Sequence, residues 1–104
     1  MIDYNVEFTK GVLFVRIFGM LNKFNEKQIE SDLYEIIRDG GIRYIVFNIE
    51  NLNIIDDSNL FKTCETLINI NDGKMLFCGK NNIYTKDYTF VDDELSALKE
   101  FSLC

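Results

Sequence analysis

The chain lacks histidine, proline and tryptophan, and it has only three cysteines among its 104 residues. Without histidine, which is the commonest general base and metal ligand, neither a Ser-His-Asp nor a Cys-His arrangement can be built. Cys64, Cys78 and Cys104 are odd in number and widely spaced, which fits neither a disulfide framework nor a structural zinc site. We therefore expect structural thiols and a protein that is not an enzyme, with no metal and no cofactor.

Positive charge and long apolar runs are also scarce. Eleven basic residues face 17 acidic ones, for a formal net charge of -6, and the basic residues are scattered. This composition excludes the usual nucleic-acid and anionic-membrane partners, which reward clustered Lys and Arg, and it leaves a basic protein partner open. The best apolar run, residues 12–18, is far shorter than the roughly 20 residues of a membrane span. We expect no signal peptide, no membrane contact and a cytoplasmic location.

The residues that are present predict one domain over positions 1–104, since no linker or repeat divides the chain and 47% of it is hydrophobic. Alternating apolar residues on both sides of the turn Lys10-Gly11 predict an N-terminal β-hairpin, which Gly19 closes. Further strands are predicted at residues 44–49 and 75–78, with a short edge strand at 88–91. The hairpin followed by alternating helices and strands predicts an α/β fold: a small mixed sheet with helices mainly on one face.

Capping signals mark the three predicted helices. Asn25 and Gln28 resemble a capping box ahead of a helix of about three to four turns, which ends at Gly40-Gly41. A second helix is predicted from Ser58 onward, where apolar residues recur at helical spacing, and Asp92-Asp93 is predicted to open a third.

Residues 42–60, IRYIVFNIENLNIIDDSNL, are the most informative stretch. The apolar run is typical of a strand covered on both faces, and a polar turn then leads to Asp56 and Asp57 at a helix start. Carboxylates at that position usually cap the helix and complement its dipole. A divalent metal held between Asp56 and Asp57, in a nucleotide- or metal-binding protein, is the alternative for this pair.

The same segment closely resembles the central segment of STAS domains, particularly bacterial anti-sigma factor antagonists, where such a strand runs into Asp-Ser-Ser/Thr-Gly-Leu. The segment GVLFVRIFGMLN resembles that family's second strand and its Gly-Glu-Leu-Asp turn. The resemblance implies a STAS-like fold and a regulatory role through protein binding. The implied partner is an anti-sigma factor that is also a serine kinase, or another STAS protein.

In the family, the loop contains an Asp followed by the Ser that the kinase phosphorylates. Asp56 matches that family Asp. Asp57 occupies the phosphoacceptor position here, Ser58 matches the next Ser/Thr, and Asn59 stands where Gly is usual. Asp57 is either a permanent mimic of the phosphorylated state or a helix cap, and the two roles are compatible. Ser58 retains a hydroxyl and is a candidate for a shifted acceptor.

The predicted partner-binding surface combines the turn at residues 20–24, the loop at residues 56–59 and the outward face of the following helix. Its members are Met20, Asn22, Phe24, Asp56, Asp57, Ser58, Asn59, Lys62, Thr63, Glu65 and Thr66. Phe61 is left out because its helical spacing indicates a core position. A rival hypothesis is a constitutive scaffold subunit of a stress-signalling assembly, and the oligomeric state stays open.

Overall fold

The structure, a computed structural model, describes residues 2–54, 59–79 and 85–102. Asp56, Asp57, Ser58 and Cys104 lie outside the described residues. The elements in chain order are β1 (Ile2–Thr9), β2 (Val12–Leu21), α1 (Lys23–Gly40), β3 (Tyr44–Asn48), β4 (Leu52–Ile54), α2 (Leu60–Asn69), β5 (Lys74–Cys78), β6 (Phe90–Val91) and α3 (Glu94–Ser102).

The strands form one mixed sheet in the order β1-β2-β3-β5-β6, with β4 pairing to β2 beyond the end of β3. β1 and β2 make an antiparallel hairpin, and its turn uses the left-handed conformations of Lys10 and Gly11, with φ of 53° and 78°. The remaining pairs are parallel. A hairpin joined to parallel strands is the predicted architecture, which is thereby confirmed.

The two helices α1 and α2 cover one face of the sheet, called here the α1–α2 side. Each contributes three buried apolar residues at helical spacing, and these meet the inward residues of β2 and β3. They are Ile29, Leu33 and Ile37 of α1; Leu60, Cys64 and Leu67 of α2; and Leu13, Val15, Ile17, Ile45 and Phe47 of the sheet. This apolar face is the main core of the domain.

The third helix covers the opposite face, called here the α3 side. Its Ala97 packs on the alternate residues of the same strands, Val12 and Phe14 of β2 and Val46 of β3. β3 is consequently buried on both faces, as its unbroken apolar run predicts. Two of the three helices in the described part of the chain therefore share one face, in agreement with the prediction of helices mainly on one side.

Three local details differ from the sequence predictions. β2 continues through Gly19 to Leu21, and the short strand β4 was not predicted. The first helix has 18 residues, five turns rather than three to four, because its N-cap is Asn22 and not Asn25. Its end agrees with prediction: Gly41 takes the left-handed conformation with φ of 61°.

Cys64 and Cys78 are buried, free thiols, which confirms their structural reading. Among the helices that the structure describes, none is long and apolar enough to cross a membrane.

Candidate functional site

The turn between β2 and α1 is held by a reciprocal capping arrangement. The Asn22 Oδ1 accepts hydrogen bonds from the backbone N–H groups of Phe24 at 2.9 Å and Asn25 at 3.0 Å. In return, Asn25 Oδ1 accepts from the Asn22 N–H at 2.9 Å, and its Nδ2 donates to the Met20 carbonyl at 2.9 Å. Three of these four bonds engage backbone N–H groups that a helix start otherwise leaves unpaired. The side chains of Asn22 and Asn25 thus hold the turn, and Asn22 acts as a helix cap.

Two apolar side chains of this turn stand out in solvent. Phe24 is 76% exposed and Met20 is 46% exposed. Exposed apolar side chains can supply the apolar part of a protein contact, although Phe8 and Leu95, outside this turn, are exposed to a similar degree. Both lie where the predicted surface has them.

The strand β4 brings the chain that leads into residues 55–58 beside this turn. Its pairing with β2 places Leu52 opposite Gly19, Asn53 opposite Met20 and Ile54 opposite Leu21. The Gly19 N–H also donates to the carbonyl of Asn51 at 3.0 Å. The predicted loop residues Asp56, Asp57 and Ser58 lie outside the described residues, but the strand that precedes them runs along the turn.

The helix α2 begins at Leu60 with Asn59 as its N-cap, and the Asn59 side chain accepts from the Lys62 N–H at 3.4 Å. Asp57, which was predicted to cap this helix, lies outside the described residues, and the N-cap position in the described part of the chain is held by Asn59, two residues later. Asn59 has the side chain for this position, since Asn is among the preferred N-cap residues.

A carboxylate from the first turn of α1 reaches the start of α2. Glu26 Oε2 accepts a hydrogen bond from the Asn59 backbone N–H at 2.7 Å, and Glu26 Oε1 accepts from the Thr63 hydroxyl at 3.0 Å. Sequence reasoning missed Glu26. Its signal, an acidic residue in a first helical turn, is common, and its partners lie 33 and 37 residues away.

The outward face of α2 carries three of the four predicted residues. Lys62, Glu65 and Thr66 are exposed, and the Thr66 hydroxyl donates to the Lys62 carbonyl at 3.0 Å. Thr63 is only 8% exposed, so its predicted place on the outward face is wrong. It lies three residues after Leu60 and four before Leu67, on the buried stripe of the helix. The helical spacing of Thr63 from Leu60 and Leu67 could therefore have indicated its burial from the sequence alone.

Further along α2, the Tyr88 hydroxyl donates a hydrogen bond to the Glu65 carboxylate, which raises the pKa of Tyr88 to about 12. The Tyr88 ring also stacks on Phe61 with 4.9 Å between ring centroids. Phe61 in turn meets the buried Phe77 edge-on at 5.2 Å. Phe61 is thus a packing residue, as predicted, and it links the site to the core.

The chain matches the STAS domain family over residues 3–82, which is most of its length. It belongs to the STAS family. This match agrees with the resemblance of the segment GVLFVRIFGMLN and of residues 42–60 to STAS domains, and it includes both the turn and the start of α2.

The fold of this STAS domain also matches solved structures over nearly its full length. The anti-sigma factor antagonist SpoIIAA in its unphosphorylated form has a TM-score of 0.73 at 18% identity, covering 96% of this chain and 98% of that one. The phosphorylated form of the Bacillus cell fate determinant SpoIIAA has a TM-score of 0.73 at 19% identity, covering 95% and 99%. An uncharacterised DUF3478 protein from Shewanella loihica with a SpoIIAA-like fold reaches 0.62 at 16% identity, covering 99% and 94%.

Within the part of this STAS domain that the structure describes, no group of three or more acidic, Cys or His side chains is arranged to hold a metal ion. The Asp56-Asp57 pair lies outside that part. The described site joins a turn with exposed apolar side chains to an exposed polar helix face.

Proposed function

We propose that this STAS domain is a regulatory binding protein of the anti-sigma factor antagonist type, which binds an anti-sigma factor kinase-like partner. The observation that carries the proposal is the match in fold to an anti-sigma factor antagonist over 96% of this chain and 98% of that one. The resemblance of residues 42–60 to the antagonist loop points the same way. The proposed location is cytoplasmic.

The proposed contact region, called here the binding surface, comprises the turn at residues 20–24, Asn59 and the outward face of α2. Exposed Met20 and Phe24 supply an apolar centre, while Lys62, Glu65 and Thr66 supply a polar margin. Interfaces commonly combine an apolar centre with a polar, solvent-accessible margin. Asp56, Asp57 and Ser58 complete the proposed surface on sequence grounds.

The proposed mode of action is binding without catalysis. The two described thiols support it, because burial raises the pKa of Cys64 well above its ordinary value and raises the pKa of Cys78 to about 12. Both thiols are therefore protonated at neutral pH, and the thiolate is the nucleophilic form.

Asp57 gives the proposed surface a permanent negative charge at the position where antagonists carry the phosphoacceptor Ser. A carboxylate supplies one charge, whereas a phosphoryl group supplies about 1.5 to 2 and three acceptor oxygens. We propose that Asp57 weakens partner binding by part of what phosphorylation would do. Ser58 stays a candidate for a shifted acceptor, and phosphopeptide mapping that finds it unmodified in active cells would remove that role.

The test starts with affinity capture from a lysate of the source organism, with the tagged chain and its Asp57→Ser variant as baits. A histidine-kinase-like ATPase recovered by both baits is then purified and titrated calorimetrically with each protein. We expect tighter binding by Asp57→Ser and weaker binding by Lys62→Glu. Lys99→Glu is the matched control, since it reverses the same charge on the α3 side and leaves the binding surface intact.

Equal affinities for Lys62→Glu and Lys99→Glu would place the contact elsewhere. If only other STAS chains are recovered, together with concentration-dependent self-association in sedimentation, the antagonist proposal fails and the scaffold role is supported.

A further inference from the structure

The start of α2 carries the partial positive charge of a helix N-terminus, and such a position ordinarily attracts anions. In this protein an anion is already there. The Glu26 carboxylate accepts the Asn59 backbone N–H at 2.7 Å and the Thr63 hydroxyl at 3.0 Å. Both carboxylate oxygens are thus used on the first turn of α2.

The same carboxylate also belongs to the first turn of α1, where the Glu26 N–H donates to the Asn22 carbonyl at 3.0 Å. Acidic side chains in a first turn are stabilised by the positive end of their own helix. Two helix starts therefore converge on one carboxylate. The contact joins two residues that are 33 positions apart in the chain, and it holds the start of α2 close to the start of α1, which follows the turn at residues 20–24.

We propose that Glu26 is a built-in anion of the binding surface: it holds the start of α2 against the first turn of α1 and excludes phosphate and similar anions from that helix start. A second anion there would face the Glu26 charge at short range and compete for the same backbone N–H. Removing the Glu26 charge while keeping the side-chain shape therefore opens the helix start to phosphate.

This role has a consequence for recognition, and that consequence rests on the proposed function. A partner that approaches the start of α2 meets a carboxylate instead of a bare helix end. The helix start therefore offers no attraction to an acidic group of the partner, which agrees in sign with the proposed weakening of binding by the negative charge of Asp57.

The test is a titration of the ¹⁵N-labelled full chain with inorganic phosphate, followed by amide shifts in NMR spectra at pH 7. Chloride keeps the ionic strength constant. We expect no saturable shift at Asn59 or Leu60 in the unmodified protein. Glu26→Gln should show saturable shifts at both amides, with phosphate binding at least about tenfold tighter, because a charge-assisted contact is lost and the repulsion disappears.

Two matched variants separate charge from loosening of the structure. Glu30→Gln removes the same charge one turn further along α1, and we expect it to behave like the unmodified protein. Thr63→Val removes one hydrogen bond but keeps the Glu26 carboxylate, so phosphate stays excluded. If Thr63→Val and Glu26→Gln bind phosphate equally well, loosening of the contact between α1 and α2 is the cause and the proposal is overturned.

The unmodified protein tests the proposal even if Glu26→Gln does not fold. Saturable phosphate binding at its Asn59 amide would overturn the exclusion. An Asn59 amide that exchanges with solvent as fast as an amide without a hydrogen bond would overturn the contact itself. No partner is present in this experiment, so its failure is distinct from a failure of the proposed binding function.

Discussion

The two sides of the sheet are held by different kinds of interaction. On the α1–α2 side, two helices pack their apolar stripes on the sheet, and the polar contact between Glu26 and α2 lies at its border. On the α3 side, a nine-residue helix buries only Ala97 completely. There, the Arg16 guanidinium makes two hydrogen bonds to the Glu94 carboxylate, both 2.7 Å long, and the Asn48 amide donates to the same group at 2.9 Å.

The two sides should therefore differ in how easily they open without loss of the fold. Apolar burial scales with area and is cooperative, so the α1–α2 side should open only with the whole domain. A helix attached by little apolar area and a partly exposed polar network should open locally at lower free energy. The proposed binding surface lies on the side that we expect to be more stable, where α2 packs on the sheet and contacts Glu26 of α1.

The largest change in the free energy of unfolding is expected from truncating a core side chain on the α1–α2 side. Leu33→Ala removes a side chain that is 1% exposed in the main core and should lower the free energy of unfolding by about 2–5 kcal/mol. Leu98→Ala is the matched change on α3, where the residue is half-buried, and it should cost less than half as much. Urea denaturation of both variants measures the difference, and equal losses would contradict the comparison.

A smaller effect is expected from the polar network of the α3 side. Glu94→Ala removes the carboxylate that accepts hydrogen bonds from Arg16 and Asn48. Because these donors lose that acceptor, the free energy of unfolding should fall by about 1–3 kcal/mol. The Arg16 and Glu94 side chains are 26% and 25% exposed, so water compensates part of this loss.

Native-state hydrogen exchange shows whether that loss is local. With Glu94→Ala, amides of α3 should lose protection while those of α1 keep theirs. Glu35→Ala, which truncates the same side chain at an exposed position of α1, should leave both helices protected. Equal loss of protection in α1 and α3 would show that α3 does not open separately.

The core of the α1–α2 side was predictable from sequence because its signal is periodic. Leu60, Cys64 and Leu67 recur at helical spacing, and the strand at β3 is one apolar run. The end of α1 was predictable for a different reason: a Gly pair after a helix has few other uses, and Gly41 takes the left-handed conformation there.

The details of the site were less predictable because they depend on residues distant in sequence. β4 has three residues and exists through its pairing with β2, which no local pattern marks. Asn22 and Asn25 both have side chains suited to an N-cap, and they form the capping box of α1 together. The prediction took Asn25 as the N-cap, so it placed the start of α1 three residues too late. The contact of Glu26 with Asn59 and Thr63 requires the two helices to be docked first.

The smallest effect is expected from the pH dependence of stability that Glu94 gives to the α3 side. The hydrogen bonds from Arg16 hold the pKa of Glu94 below its usual value of 4.5, although burial opposes this shift. The unfolded chain therefore binds a proton at Glu94 more readily than the folded protein does. The stabilisation is complete above pH 4.5 and is lost as the pH falls through the lower pKa of the folded state.

Glu94→Gln lacks this titration but keeps a side chain of the same shape, so it isolates the effect. Asp93, whose pKa is lowered by the hydrogen bond from the Ser96 N–H, is present in both proteins and cancels in the comparison. In urea denaturation between about pH 6 and pH 3, the stability advantage of the unmodified protein over Glu94→Gln should shrink below pH 4.5. An advantage that stays constant over this range would mean that packing of Glu94, and not its charge, attaches α3 to the sheet.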